Sequence, residues 1–182
     1  MGMRTFRHLM AVCGLLSLTG CLTGGSSPDT VYRQTSVSYD KYAGTVKVIG
    51  GQLYSPGLLE RQTSFLVTSL NVDGAIVQSW IDFTEDVQTT LSFFVIAHDD
   101  QALPLKVEKI ERLGATRGDP SSKEEVAIDL PPGYLESHAA TGIDLRVEGR
   151  RGSATTKVSA AYVQGYLKKL REVQACMKAK TC

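Results

Sequence analysis

Between residues 45 and 158 the apolar side chains recur mostly at every second position, in short runs separated by turn residues, and this period constrains the fold more than any other feature. A period of two places alternate side chains on opposite faces of an extended strand, so each run offers one face to a core and one to water. The runs 45–49, 64–72, 76–83, 89–98, 105–113, 125–130, 142–148 and 155–158 read this way, and they are rich in the Val, Ile, Thr, Phe and Tyr that strands favour. Between them lie Gly50-Gly51, Asp73-Gly74, Asp99-Asp100, Gly118-Asp119-Pro120 and Pro131-Pro132-Gly133. Asn71-Val72-Asp73-Gly74 joins two alternating runs as a hairpin, because Gly accepts the backbone that a tight turn demands. Trp80, with Ile76 and Val77 before it and Phe83 after it, is expected in the core.

The period changes only at the end of the chain. Tyr162, Val163, Tyr166, Leu167, Leu170, Val173 and Met177 follow the three-four spacing of a helix, with Ser159 as its cap. Lys168, Lys169, Arg171, Lys178 and Lys180 crowd its polar side and C-terminal end, where the helix dipole favours cations. That side is either a solvated face or a basic surface for anionic headgroups or cell-wall polymer. The expected fold is mainly β: an antiparallel β-sandwich, or a barrel-like sheet, with one C-terminal α-helix packed on it.

The first residues follow other rules. Arg4 and Arg7 precede an apolar segment from Leu9 to Leu18. At about 1.5 Å per residue it is roughly half of what a hydrocarbon core of about 30 Å requires, so residues 1–20 read as a signal peptide. The segment ends in Leu18-Thr19-Gly20-Cys21, which resembles the lipobox of bacterial lipoproteins. The resemblance implies that Cys21 receives a diacylglycerol, becomes the first mature residue and is acylated on its amino group, commonly with palmitate. Two or three chains hold firmly where one binds reversibly, at about 0.8 kcal/mol per buried methylene. In that family an aspartate after the cysteine favours the inner membrane. Leu22 stands there, so the resemblance implies the outer membrane, with the protein facing the periplasm. Residues 21–30, rich in Gly and Ser, read as the lipidated cysteine and a flexible tether, and residues 31–182 as a single β-rich domain.

Loss of Arg4 and Arg7 with the leader takes the basic residues from 20 to 18 against 19 acids, and the formal charge from +1 to −1. That balance gives no general electrostatic drive toward nucleic acid. Cys13 leaves too and Cys21 is committed to lipid, so Cys176 and Cys182 remain as a candidate disulfide closing a small loop at the end of the last helix. Two thiols without a neighbouring histidine do not make a zinc site.

Little else carries chemistry. The mature histidines are His98 and His138. His98-Asp99-Asp100 supplies a base beside carboxylates, or two metal ligands, but adjacent residues on an extended chain point in opposite directions. Ser137-His138 meets the same objection, and no G-x-S-x-G elbow accompanies any serine. Asp82, Glu85 and Asp86 lack the spacing of a calcium loop. No metal, no catalytic residue and no cofactor beyond the covalent lipid is assigned. Arg150-Arg151 at a predicted hairpin tip, with Lys168, Lys169 and Arg171, forms the candidate partner-binding set. Tyr32, Tyr39, Tyr42 and Tyr54 gather before the main strands, where they either cover an open edge or make a sticky surface.

A lipoprotein with such a domain is similar to several envelope families, among them the outer-membrane lipoprotein of type VI secretion and pilus-assembly lipoproteins. Tyr162-Val163-Gln164-Gly165-Tyr166-Leu167 also resembles the helix start of many uncharacterised bacterial lipoproteins. The expected role is non-enzymatic: a membrane-anchored binding or assembly module with an envelope protein partner. The alternatives are a periplasmic hydrolase or metal-dependent enzyme using His98 or His138, and a carrier for a small apolar ligand.

Overall fold

The computed structural model describes residues 27–56, 60–87, 91–113 and 122–181. The expected signal peptide, Cys21, most of the tether, the Gly118-Asp119-Pro120 turn and Cys182 lie outside the described residues. In chain order the elements are α1 (Pro28–Gln34), β1 (Ser36–Asp40), β2 (Thr45–Ile49), β3 (Leu53–Pro56), β4 (Glu60–Leu70), β5 (Ile76–Val87), β6 (Phe94–Asp99), β7 (Pro104–Leu113), β8 (Ser122–Leu130), α2 (Tyr134–Ser137), β9 (Ile143–Gly149), β10 (Ser153–Val158) and α3 (Ala160–Ala179). The fold is the expected one: a mainly β, curled antiparallel sheet with a C-terminal helix. Its order is β1-β2-β4-β5-β8-β7-β6-β9-β10, with β3 also paired to β4.

The curl has a local cause in β7. Its first residues pair with β6, as in Leu105 with Ala97, and the rest with β8, from Val107 opposite Ile128 to Leu113 opposite Lys123. A register shift between Val107 and Lys109 marks a bulge, which bends a strand and increases its twist. The sheet therefore turns over on itself and its apolar faces meet. The last strand comes round to the β4 side, where the Ser64 and Thr156 hydroxyls stand 2.9 Å apart.

Alternation sorts the side chains. In β5, Ile81, Phe83 and Val87 are buried while Asp82, Thr84 and Asp86 on the other face are not. Trp80 shares the parity of Asp82, so it lies half-buried on the outer face rather than in the expected core. Leu66, Ile81, Phe83, Phe94, Val126, Ile128, Leu145 and Val147 fill the inside, each worth about 1.5–3 kcal/mol for the surface it removes from water. Phe83 and Phe94 meet edge to face, with ring centres 5.5 Å apart. Among the described residues the inner face carries packed side chains.

Helix α3 lies across one end of the curl. Ser159 caps it by accepting the Tyr162 amide at 3.2 Å, and Tyr162, Val163, Tyr166, Leu167, Leu170 and Val173 form its buried stripe. The Tyr166 hydroxyl, fully enclosed, lies 3.0 Å from the Val48 carbonyl and 2.9 Å from the Thr68 hydroxyl. Gln164 reaches the Ala139 carbonyl after α2 at 2.8 Å, and Gln174 reaches Gly74 in the β4–β5 turn at 3.0 Å. The helix thus ties the α2 region to the far hairpin.

Two short helices and two short strands have no counterpart in the sequence expectations. The tether expected to run to residue 30 ends earlier, because Ser27 accepts the Thr30 amide at 3.2 Å and Pro28 opens α1. Strands β2 and β3 are one path along β4, broken at Gly50-Gly51. The break exists because Tyr162 occupies that ground: a Cβ on Gly50 would strike its hydroxyl, which donates to the Gly51 carbonyl.

Candidate functional site

Two places on the surface depart from ordinary packing. The first lies where α1 and β1 meet α3. Gly165 lets α1 cross α3 closely, since a Cβ there would run into the Pro28 carbonyl and lie 2.7 Å from Val31. The Tyr-Val-x-Gly-Tyr-Leu stretch is thereby accounted for by packing: Tyr162 sits over the glycine break, Gly165 receives α1, and Tyr166 and Leu167 enter the core.

Around this crossing sit some of the expected basic residues. Lys168 pairs with Asp29 of α1 at 2.8 Å and Lys169 with Glu172 at 2.7 Å, and both ammonium groups lie over the Tyr32 ring. The Tyr32 hydroxyl donates to Glu172. Lys168 holds the Asp29 carboxyl below its ordinary range, by hydrogen bond and by charge; Lys169 and then Tyr32 do the same for Glu172. Two of the candidate partner-binding cations are therefore engaged in docking α1, while Arg171 is exposed. Arg150 and Arg151 belong elsewhere. Their amides donate to the Phe93 and Ser92 carbonyls, and Arg151 lies over the Phe93 ring. All six residues of β10, roughly 20 Å of strand, separate that tip from the start of α3, so the predicted basic set does not form one surface.

Beside the crossing runs a groove of about 620 Å³. Val37, Tyr39, Val46 and Val72 line one wall and Val173, Cys176 and Met177 the other, with Glu172 and Lys180 at the rim. Strand β1 is the edge of the sheet, and all five of its residues are exposed. Val37 keeps 45% and Tyr39 65% of its surface open to solvent. Tyr42 and Tyr54 are exposed as well. Cys176 is disulfide-bonded, while Cys182 lies outside the described residues.

The second place is the β6–β7 turn. Asp99 ends β6 and organises the loop: its Oδ1 accepts the Gln101 amide at 3.0 Å and the Leu103 amide at 2.7 Å, and its Oδ2 accepts the Tyr134 hydroxyl at 3.1 Å. His138 closes α2, stacked on the Tyr134 ring at 4.0 Å. Its Nδ1 lies 2.8 Å from the Tyr134 carbonyl. A carbonyl only accepts, so Nδ1 carries a proton, and in the neutral ring Nε2 then presents the lone pair. Burial, then the Asp99 charge, raise the pKa of the Tyr134 phenol, so it remains a donor. Carboxylate oxygens of Asp99 and Asp100 and a ring nitrogen of His138 all lie within 4.8 Å of one another.

The chain thus joins Asp99 and Asp100 to the more distant histidine rather than to their neighbour His98. Strand alternation separates His98 from Asp99, as expected. Ser137 and His138, expected to point apart, do meet at the end of α2, with Ser137 Oγ 3.0 Å from Nδ1; the hydroxyl nevertheless donates to the Tyr134 carbonyl at 2.8 Å, and a protonated Nδ1 facing that same carbonyl cannot take its proton. Asp82 and Asp86 lie opposite the interior-facing Glu85 and do not converge with it. Comparisons with family models, with curated proteins and with solved structures find no match, so function is argued from these geometries.

Proposed function

We propose that this protein is a lipid-anchored binding module of the cell envelope, and that it takes up an extended segment of a protein partner by strand addition at β1. The observation that carries the reading is the β1 edge itself. Sheet edges in stable proteins are guarded by lysines, prolines, bulges or covering elements. Ser36-Val37-Ser38-Tyr39-Asp40 has none of these within it, and its two apolar side chains border the groove against α3. An added strand gains main-chain hydrogen bonds along the edge, and its alternate side chains fill such a groove.

The lipobox supports a position near a membrane. Five residues, 22–26, separate the acylated cysteine from Ser27, the cap of α1, and the six steps between them span at most about 20 Å. The partner is then an envelope protein within that reach.

The test is a photo-crosslinking residue placed in cells at Tyr39 and, as a control, at Thr155 on the opposite edge strand. The expected result is one envelope protein captured at Tyr39 and not at Thr155, lost in Cys21→Ala. A double lysine variant at Val37 and Tyr39 should lose the same partner while melting like the parent. Equal capture at both positions, or a partner retained by the lysine variant, overturns the reading.

A further inference from the structure

We propose that Asp99, Asp100 and His138 bind a divalent transition-metal ion of the zinc class, a set that pairs the two aspartates with the distant His138 and not with the adjacent His98. Three observations converge on it. First, the three side chains place ligand atoms within 4.8 Å of one another. Second, His138 is only 8% exposed, and its Nε2 is buried with no hydrogen-bond partner among the described residues. A buried polar atom left bare costs stability, so such an atom asks for a ligand. Third, the remaining ring nitrogen is held as in known metal sites: a ligating histidine almost always donates its other N–H to a carbonyl or carboxylate, here the Tyr134 carbonyl at 2.8 Å.

The ring direction follows from these contacts. Nδ1 faces the Tyr134 carbonyl, the imidazole stacks on the Tyr134 ring, and the hydroxyl of that ring donates to Asp99 at 3.1 Å. With Nδ1 engaged by the backbone, Nε2 is the nitrogen assigned to the carboxylates. One imidazole with two carboxylates suits zinc and its neighbours, whereas calcium and magnesium prefer oxygen alone. Ligands at about 2.0–2.1 Å from zinc stand roughly 3.3 Å apart, so the cluster closes by at most about 1.5 Å. Asp100 is exposed, so its side chain has room to change rotamer toward the ion. Asp99 and His138 are already fixed from behind, and the ion keeps a coordination position open to water on the Asp100 side.

The test uses the full chain in detergent, stripped with a chelator and titrated with zinc ion alone by calorimetry, with the imidazole nitrogens followed by NMR. The expected result is one saturable site, a shifted His138 Nε2 resonance, and affinity at least about 10-fold weaker in Asp100→Asn. His138→Gln should remove the site and His98→Gln should leave it intact. Asp100→Asn changes an exposed side chain, so the test stands even where His138→Gln fails to fold. Absence of saturable binding, unchanged affinity in Asp100→Asn, or loss of binding in His98→Gln overturns the proposal.

Discussion

Glu124 is completely enclosed, yet its carboxylate accepts two backbone amides, Phe94 at 2.9 Å and Phe93 at 2.8 Å. Glu85, directly across on β5 and equally interior, accepts the Ser92 hydroxyl at 2.8 Å. These two acids fasten the three residues through which the chain enters β6, including Phe93 with its left-handed backbone at φ 55°. Hydrogen bonds to a charged acceptor contribute about 1.5–3 kcal/mol each. Glu124→Gln turns one acceptor into a donor facing an N–H, so a loss of about 3 kcal/mol is expected in urea unfolding. A change below about 1 kcal/mol would mean that other groups hold the segment. An alternating pattern can place Glu124 on the inward face, but it cannot say that the amides waiting there belong to another strand.

Helix α1 is held by the close crossing at Gly165, the exposed Lys168–Asp29 ion pair and the hydrogen bond from Tyr32 to Glu172. Gly165→Leu should push it off α3, costing about 1–3 kcal/mol as overpacking does, with trypsin then cutting at Arg33 in the otherwise native protein. An uncut, equally stable variant would place the contact elsewhere. The ion pairs set a pH window. Asp29 and Glu172 both titrate lower in the folded protein than the ordinary 3.8 and 4.5, so their contribution is present above those values and lost as pH falls through the folded ones. Amide resonances of α1 should move as the pH falls into the acid range, and α1 resonances that stay unchanged there would mean that these carboxylates do not hold it. This helix was in fact legible: Ser27-Pro28-Asp29 is a cap, a first-turn proline and a first-turn acid, but the Gly- and Ser-rich residues before it outweighed the signal. Strand β3, four residues ending in proline, carried too short a pattern to read.

At the scale of the molecule, alternation was enough to give a curled antiparallel sheet with one docked helix. Sheet order was not legible, because a period of two says which face a residue takes and nothing about which strand lies beside it. The meeting of Asp99 with His138 depends on that order and on α2, a single turn entered through Gly133 with its left-handed backbone at φ 79°. For the anchor, Cys21→Ala is expected to release the protein from membranes without changing its melting temperature. Unchanged sedimentation with the membrane fraction would remove the lipid from the picture.

The crossing of α1 over Gly165 has a mechanical side. Any pull on the N-terminal segment enters at Ser27 and meets α3 before it meets the sheet, since α1 packs chiefly on that helix. Load is then shared between the first and last elements of the chain, and the strands behind them are spared the strain. A tug strong enough to peel α1 away would free Tyr32 from Glu172 at the rim of the groove, so tension would loosen that rim while the barrel-like body stays whole.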